Sequence, residues 1–148
     1  MDPTSETMDV RLRDGADLLA RAYVKKRLME SDAQCGPAWV CGTDRSLDVF
    51  LYDPRQRVMG GLLAGTFWGC LEISVLWVEA SVRGRGYGAA LLATAEREAM
   101  ARGCQMAIVR TFSFQAPGFY RRHGYEEFGQ CEAGLAGHSL YYFRKRLR

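Results

Sequence analysis

A chain of 148 residues is long enough for one domain with its own core, and 48% apolar residues is ordinary for a globular protein. The 20 Lys and Arg against 17 Asp and Glu leave a net charge of +3, too weak a bias to indicate a nucleic-acid or membrane partner. Five scattered cysteines (Cys35, Cys41, Cys70, Cys104, Cys131) without a C-x-x-C, beside only His123 and His138, argue against a disulfide framework and a structural metal. They fit reduced thiols in the cytoplasm.

Residues 1–7 are polar and acidic, unlike a signal peptide, and read as a loose tail. No apolar run is long enough to span a membrane. Met8 to Arg13 alternates and predicts a short first strand. From Asp17, the residues Leu18, Leu19, Ala22, Tyr23 and Leu28 recur at helical spacing. They predict one or two helices ending near Ser31-Asp32. Residues 33–46, rich in Gly, Pro, Asp and Ser, read as loop.

A meander follows. Leu47 to Tyr52 predicts a strand, Asp53 to Arg57 a turn, and Val58 to Trp68 a second strand softened by Gly60, Gly61 and Gly65. After Gly69, Leu71 to Glu79 predicts a third, strongly apolar strand. A glycine-rich loop leads into a long helix, Tyr87 to Ala101, with Gly103 as its C-cap. Met106 to Phe112 predicts the next strand, so that strand, helix and strand form a parallel crossover. A short helix from Ala116 to Arg122 stops at Gly124, and strands near Tyr125 to Cys131 and Ser139 to Arg146 finish the chain. The basic run Arg144-Lys145-Arg146 with Arg148 reads as a solvated strand end. With no repeat and no linker, residues 1–148 read as one mixed α/β domain.

The informative stretch is Arg83-Gly84-Arg85-Gly86-Tyr87-Gly88, which joins a buried strand to an amphipathic helix. Glycines let the backbone approach an anion, and the helix N-terminus adds unpaired N–H groups and a positive dipole end. Arg83 and Arg85 add charge suited to a pyrophosphate. A P-loop is excluded because no G-K-[ST] follows. A dinucleotide site needs an acidic ribose ligand about 20 residues on, and the next strand offers Ile108-Val109-Arg110-Thr111 instead. A nicotinamide-dependent oxidoreductase is therefore disfavoured.

Here the sequence resembles the GNAT superfamily of N-acetyltransferases. Arg83, Gly86 and Gly88 fill the family's [QR]-x-x-G-x-[GA] loop, and Phe119-Tyr120-Arg121-Arg122-His123-Gly124-Tyr125 resembles its F-Y-x-x-x-G-[FY] segment. The resemblance implies an α/β fold with a central mixed β-sheet of six to seven strands flanked by helices, its parallel strands splayed at the cofactor site. It implies acetyl-CoA as cosubstrate, with the pantetheine arm along Leu76, Trp77 and Val78. The pyrophosphate would lie on the amides of Arg83, Gly84, Arg85, Gly86, Tyr87 and Gly88, with Ala89 just inside the helix. The expected activity is transfer of an acetyl group to a primary amine of a small molecule or peptide, by a monomer or homodimer. The alternative is a non-catalytic acyl-CoA-binding regulatory module.

Such a transfer requires deprotonation of the ammonium, stabilisation of an oxyanion and protonation of the departing thiolate. By the resemblance, Tyr120 is the acid; a phenol pKa of about 10 suits a thiolate leaving group. An isolated tyrosine would more often be a core residue. By the same resemblance Glu72, eleven positions before Arg83, is the base candidate, where some members carry a catalytic glutamate; its bland alternative is a pairing with a basic side chain at the mouth of the sheet. Glu79 is the fallback, with a cap or turn role competing. Many relatives carry an asparagine where this chain has Ser113, so Ser113 or Gln115 is expected to take over a pantetheine contact. His138 could reach the acceptor pocket, and Trp39, Phe67, Trp68, Phe112 and Phe114 could wall it.

Overall fold

The structure is a computed structural model that describes residues 8–35, 45–132 and 136–148. It divides into two compact units, Met1–Cys41 and Gly42–Arg148. The expected tail, residue Trp39 and most of the expected 33–46 loop lie outside the described residues.

In the first unit a single helix, α1, runs Leu18–Cys35. Asp17 starts it: its Oδ1 accepts the backbone N–H of Ala20 at 2.9 Å, a capping bond for one of the donors a helix start leaves open. Glu30 then pairs with Arg27 at 2.8 Å one turn back. The helix runs past the expected stop at Ser31-Asp32 because nothing there breaks it. Residues 8–13 are not a strand. Their alternation is real, but a ladder needs a partner, and no described strand pairs with them.

The second unit is built on a six-stranded sheet in the order β1-β2-β3-β4-β6-β5. The strands are β1 (Arg45–Tyr52), β2 (Val58–Phe67), β3 (Cys70–Val78), β4 (Met106–Phe112), β5 (Glu126–Cys131) and β6 (Leu140–Arg146). Helix α2 (Tyr87–Ala101) connects β3 to β4, and the short α3 (Pro117–Arg122) follows β4. Among the described strands only β3 and β4 pair in parallel. The mixed sheet and the crossover match the sequence expectation, and most strand limits move by one or two residues. Helix α2 caps at Arg102, with Gly103 next and its N–H on the Met100 carbonyl at 2.9 Å. The β1–β2 turn closes on Asp53. Its carboxylate accepts the Arg57 and Arg55 backbone N–H groups and the Arg57 guanidinium, which together hold its carboxyl below the usual range.

The core lies between one sheet face and α2. Alternate strand residues Leu62, Leu71, Ile73, Ala107, Val109 and Phe143 are buried there, against Leu91, Leu92, Ala95 and Ala99 of the helix. The alanines let the helix approach closely, and each fully buried Leu, Ile or Phe contributes about 1.5–3 kcal/mol. At the edge of this core Glu96 of α2 accepts the Tyr125 hydroxyl at 2.9 Å and pairs with Lys145 of β6 at 2.8 Å. Burial, then the Glu96 charge, push the Tyr125 phenol far up, so this tyrosine is a permanent donor that ties α2 to the far strands. Among the described residues no helix is long and apolar enough to cross a membrane, which says nothing of strands.

Candidate active site

The sheet comes apart at its centre. Parallel pairing of β3 with β4 runs from Cys70 opposite Met106 to Ile73 opposite Val109 and stops there, although both strands continue. On its other side β3 stays paired with β2, but the register jumps: Leu63 faces Val75 and Ala64 faces Ile73. Ser74 is therefore the extra residue of a β-bulge, the device that bends a strand away from its neighbour. Beyond it, the β4-facing edge of Val75 to Val78 has no strand partner among the described residues.

This opening is a cleft of about 440 Å³. Ser74, Val75, Leu76 and Val78 form one wall, Val109, Arg110 and Thr111 the other. Arg83 and Gly88 close one end, and Gln115, Ala116, Phe119, Tyr120 and Arg122 from the α3 region the rest.

Between β3 and α2 the loop is held by local bonds. Glu79 accepts the Ala80 N–H at 2.9 Å and caps a 3₁₀ turn over Ala80–Val82, so its carboxylate is engaged in the turn. The Arg83 Nε donates to the Val78 carbonyl at 2.7 Å. Gly86 sits at the α2 N-cap with φ of +85°, in the left-handed region that side chains disfavour, and a Cβ there would meet nothing within 4 Å. The first helical bond is from Ala90 to the Gly86 carbonyl. The N–H groups of Tyr87, Gly88 and Ala89 thus lack intrahelical partners, and neither a side-chain cap nor an acidic residue occupies the helix start. Gly88 has a different reason for being glycine: a Cβ would come within 3.4 Å of the Phe119 ring, where α2 passes α3.

Tyr120 is 6% exposed, packed edge-on to Phe119 and Tyr125 and stacked near Phe143. Burial pushes its phenol up to about 12. Its hydroxyl bonds no described residue, yet no described side-chain oxygen is both fully buried and unpartnered. The hydroxyl therefore keeps open surface, and the space that Tyr120 lines is the cleft. A neutral, poorly solvated phenol facing a cleft can donate a proton or a hydrogen bond at any ordinary pH.

Of the residues singled out in the sequence, Leu76, Val78, Arg83, Gly88 and Tyr120 line this one cleft. Trp77, Gly84, Arg85, Gly86, Tyr87 and Ala89 stand in the strand and loop beside it. Glu72 lies outside the lining, exposed on β3 opposite Ile108, one residue before pairing ends. Ser113 also lies outside it. Its Oγ accepts the Ser139 N–H at 3.1 Å and lies 3.2 Å from the His138 Nδ1. Gln115 lines the cleft, but its Oε1 accepts the Phe112 N–H and the Thr111 hydroxyl, closing the turn after β4. Phe112 and Phe114 stack at 5.2 Å, with the His138 ring edge-on to Phe114 at 5.0 Å. The sequence reading passed over Ser74, Arg110 and Arg122. The one signal for Arg110 was a charge inside the otherwise apolar strand MAIVRTF. Among the described residues, no three His, Cys, Asp or Glu gather to hold a metal.

Comparison with known proteins identifies the family. The model of the Acetyltransferase (GNAT) family matches residues 14–125. The chain is 34% identical over 140 residues to an acetyltransferase of Agrobacterium fabrum, a match covering 94% of this chain and 99% of that one. It is 46% identical over 72 residues to the blasticidin-S acetyltransferase of Streptomyces morookaense. That match covers 48% of this chain and 53% of the relative, so it spans about half of that protein. The crystal structure of an acetyltransferase from Bacillus cereus superposes with a TM-score of 0.79 at 31% identity, over 93% of this chain and 98% of that one. The chain belongs to the acetyltransferase (GNAT) family.

Proposed function

We propose that this acetyltransferase moves the acetyl group of acetyl-CoA to a primary amine by direct attack of the neutral amine. The observation that carries this reading is the cleft itself. It combines an unpaired strand edge, a helix start with free N–H groups and a buried phenol facing the gap. These residues fit the cosubstrate. The open space over Gly84 and Gly86 and the unpaired amides at the start of α2 suit a pyrophosphate, with Arg83 and Arg85 adding charge. The free edge of Leu76, Trp77 and Val78 suits an extended diamide arm, which would take the place of a strand. Ser113 spends its hydroxyl on the segment before β6, so Gln115, which lines the cleft, is the better candidate for a polar contact from that loop.

Bound acetyl-CoA would supply an activated thioester, whose sulfur leaves as thiolate once the amine nitrogen has bonded to the acetyl carbon. Glu72 is the proposed base, taking the ammonium proton directly or through water at the mouth of the splay. Tyr120 is the proposed acid, holding its proton toward the departing sulfur. Reading residues 1–148 as one acetyltransferase domain rests on a family match that runs continuously through 14–125. The scattered cysteines, with Cys70, Cys104 and Cys131 unpaired among the described residues, favour a reducing, cytoplasmic setting.

Thermal unfolding with acetyl-CoA, CoA or NAD, followed by thiol release from acetyl-CoA against an amine panel, tests the proposal. Ligands selective for the folded state raise the melting temperature. Stabilisation by CoA and acetyl-CoA, and thiol release with at least one amine, is the expected result. Stabilisation by NAD alone would overturn it. Stabilisation by CoA with no turnover on any amine would make the protein a binding module.

A further inference from the structure

Among the described residues, three arginines and no carboxylate line the cleft. Arg83 belongs to the loop before α2 and Arg122 to α3, so both lie with the elements proposed to hold the cosubstrate. Arg110 differs. Along β4 the side chains of Ala107, Val109 and Thr111 are buried on the face covered by α2, so Ile108, Arg110 and Phe112 project from the other face. Leu71 and Ile73 are buried in the same way on β3, which puts Glu72 on that second face as well. Glu72 stands opposite Ile108, and Arg110 is the next residue of β4 on that face. Their backbone positions are offset by about 7 Å along the strands and about 5 Å across them.

Among the described residues, Arg110 and Glu72 have no ion pair and no side-chain hydrogen bond, with each other or with anything else. Arg110 is exposed and stands just past the last paired residue, Val109, where the neighbouring strand has turned away, and it is among the residues that line the gap. A guanidinium there is a fork for a carboxylate. With a carboxylate beside it on the same face, the site presents one positive and one negative group to whatever enters opposite the cosubstrate.

We infer that the acceptor is a zwitterionic amine of the amino-acid type, its carboxylate held by Arg110 and its amine turned toward Glu72. This rests on the acetyl-transfer reading above and narrows it. Polyamines and other purely cationic acceptors offer Arg110 no carboxylate to bind, and are disfavoured.

The test compares standard amino acids with the amines left when their carboxylate is removed, such as lysine with cadaverine and tyrosine with tyramine. For each pair, kcat/KM is measured at saturating acetyl-CoA, and equilibrium binding to the CoA-saturated protein is measured by calorimetry. The carboxylate-bearing member should lead by about tenfold or more in both for at least one pair, the scale of one charge-assisted contact. Arg110→Gln should abolish that preference and leave the CoA-induced rise in melting temperature intact, while Arg110→Lys should restore part of it. A preference for the decarboxylated amines, or one that survives in Arg110→Gln, would overturn the inference. So would loss of the CoA response in Arg110→Gln, which would assign Arg110 to the cosubstrate, or failure of every carboxylate-bearing member to bind. Arg110-dependent binding without any turnover would support the acceptor site and sink the catalytic reading. Turnover without carboxylate preference would do the reverse.

Discussion

Replacing Tyr120 with Phe removes one oxygen and leaves the packing. The ring keeps its contacts with Phe119, Tyr125 and Phe143, and the hydroxyl has no described protein partner to strand. Stability near neutral pH should therefore change by no more than about 0.5 kcal/mol. Catalysis should suffer. A positioned acid is worth about 10²–10⁴ in rate, and at 1.36 kcal/mol per decade that is about 3–5 kcal/mol of barrier. Because the interaction is made only as sulfur departs, kcat and kcat/KM should fall together, with acetyl-CoA affinity nearly unchanged. The phenol also leaves a signature in stability. Its pKa is raised by burial to about 12, above the ordinary value, so the neutral form is what the fold favours. The native state then holds its proton longer than the unfolded chain. Stability is fully present below about pH 10 and is lost as pH rises toward 12, by up to about 3 kcal/mol. Tyr120→Phe should flatten part of that alkaline loss, the rest belonging to Tyr125 among other groups. Steady-state kinetics with the best acceptor and urea unfolding between pH 8 and pH 11 measure both effects. A Phe variant with wild-type kcat would refute the acid role, and an unchanged alkaline slope would refute the burial argument.

Glu72→Gln should lower kcat at neutral pH and recover as pH rises, because the free amine is then already abundant; a pH–rate profile checks this, and Tyr120→Phe should show no such recovery. Gly86→Val places a branched side chain at φ of +85° and in the open space over the α2 N-terminus. Strain of about 1–2 kcal/mol should lower the melting temperature by several degrees, while circular dichroism stays native and calorimetry finds CoA binding abolished.

The stretch from β3 to β4 was legible because three independent signals agree there. An apolar strand, glycine punctuation and a helical period each mark a boundary, and α2 and β4 fall on the expected residues. Where one signal stood alone it misled. Met8 to Arg13 alternates like a strand, but alternation describes one edge of a pair and cannot supply the other. What opens the cleft, and what draws Ser113 away from it, is of the same non-local kind. The Ser74 bulge depends on β2 keeping its register while β3 slips. The engagement of Ser113 with His138 and Ser139 joins positions 25 and 26 residues apart. Motif matching placed Ser113 where relatives have a cofactor contact, and only the folded chain gives its hydroxyl another partner.

The same reasoning explains why the site lies where it does. A sheet satisfies its backbone by pairing, and this one leaves β3 and β4 unpaired just past Ile73 and Val109. Helix α2 likewise begins without a side-chain cap, beside an arginine-rich loop. Each is a local defect in the folded chain, costing stability through groups that only solvent satisfies. Both defects open on the same cleft, and a cosubstrate carrying phosphates at one end and amides along its arm answers each of them. Binding should therefore order the loop and the open edges of β3 and β4 together. Hydrogen exchange at Leu76, Val78 and Gly88 should slow in concert when CoA is added, by a common factor set by its affinity and concentration. Slowing confined to the loop, with the strand edge unchanged, would mean that the arm does not take the place of a strand.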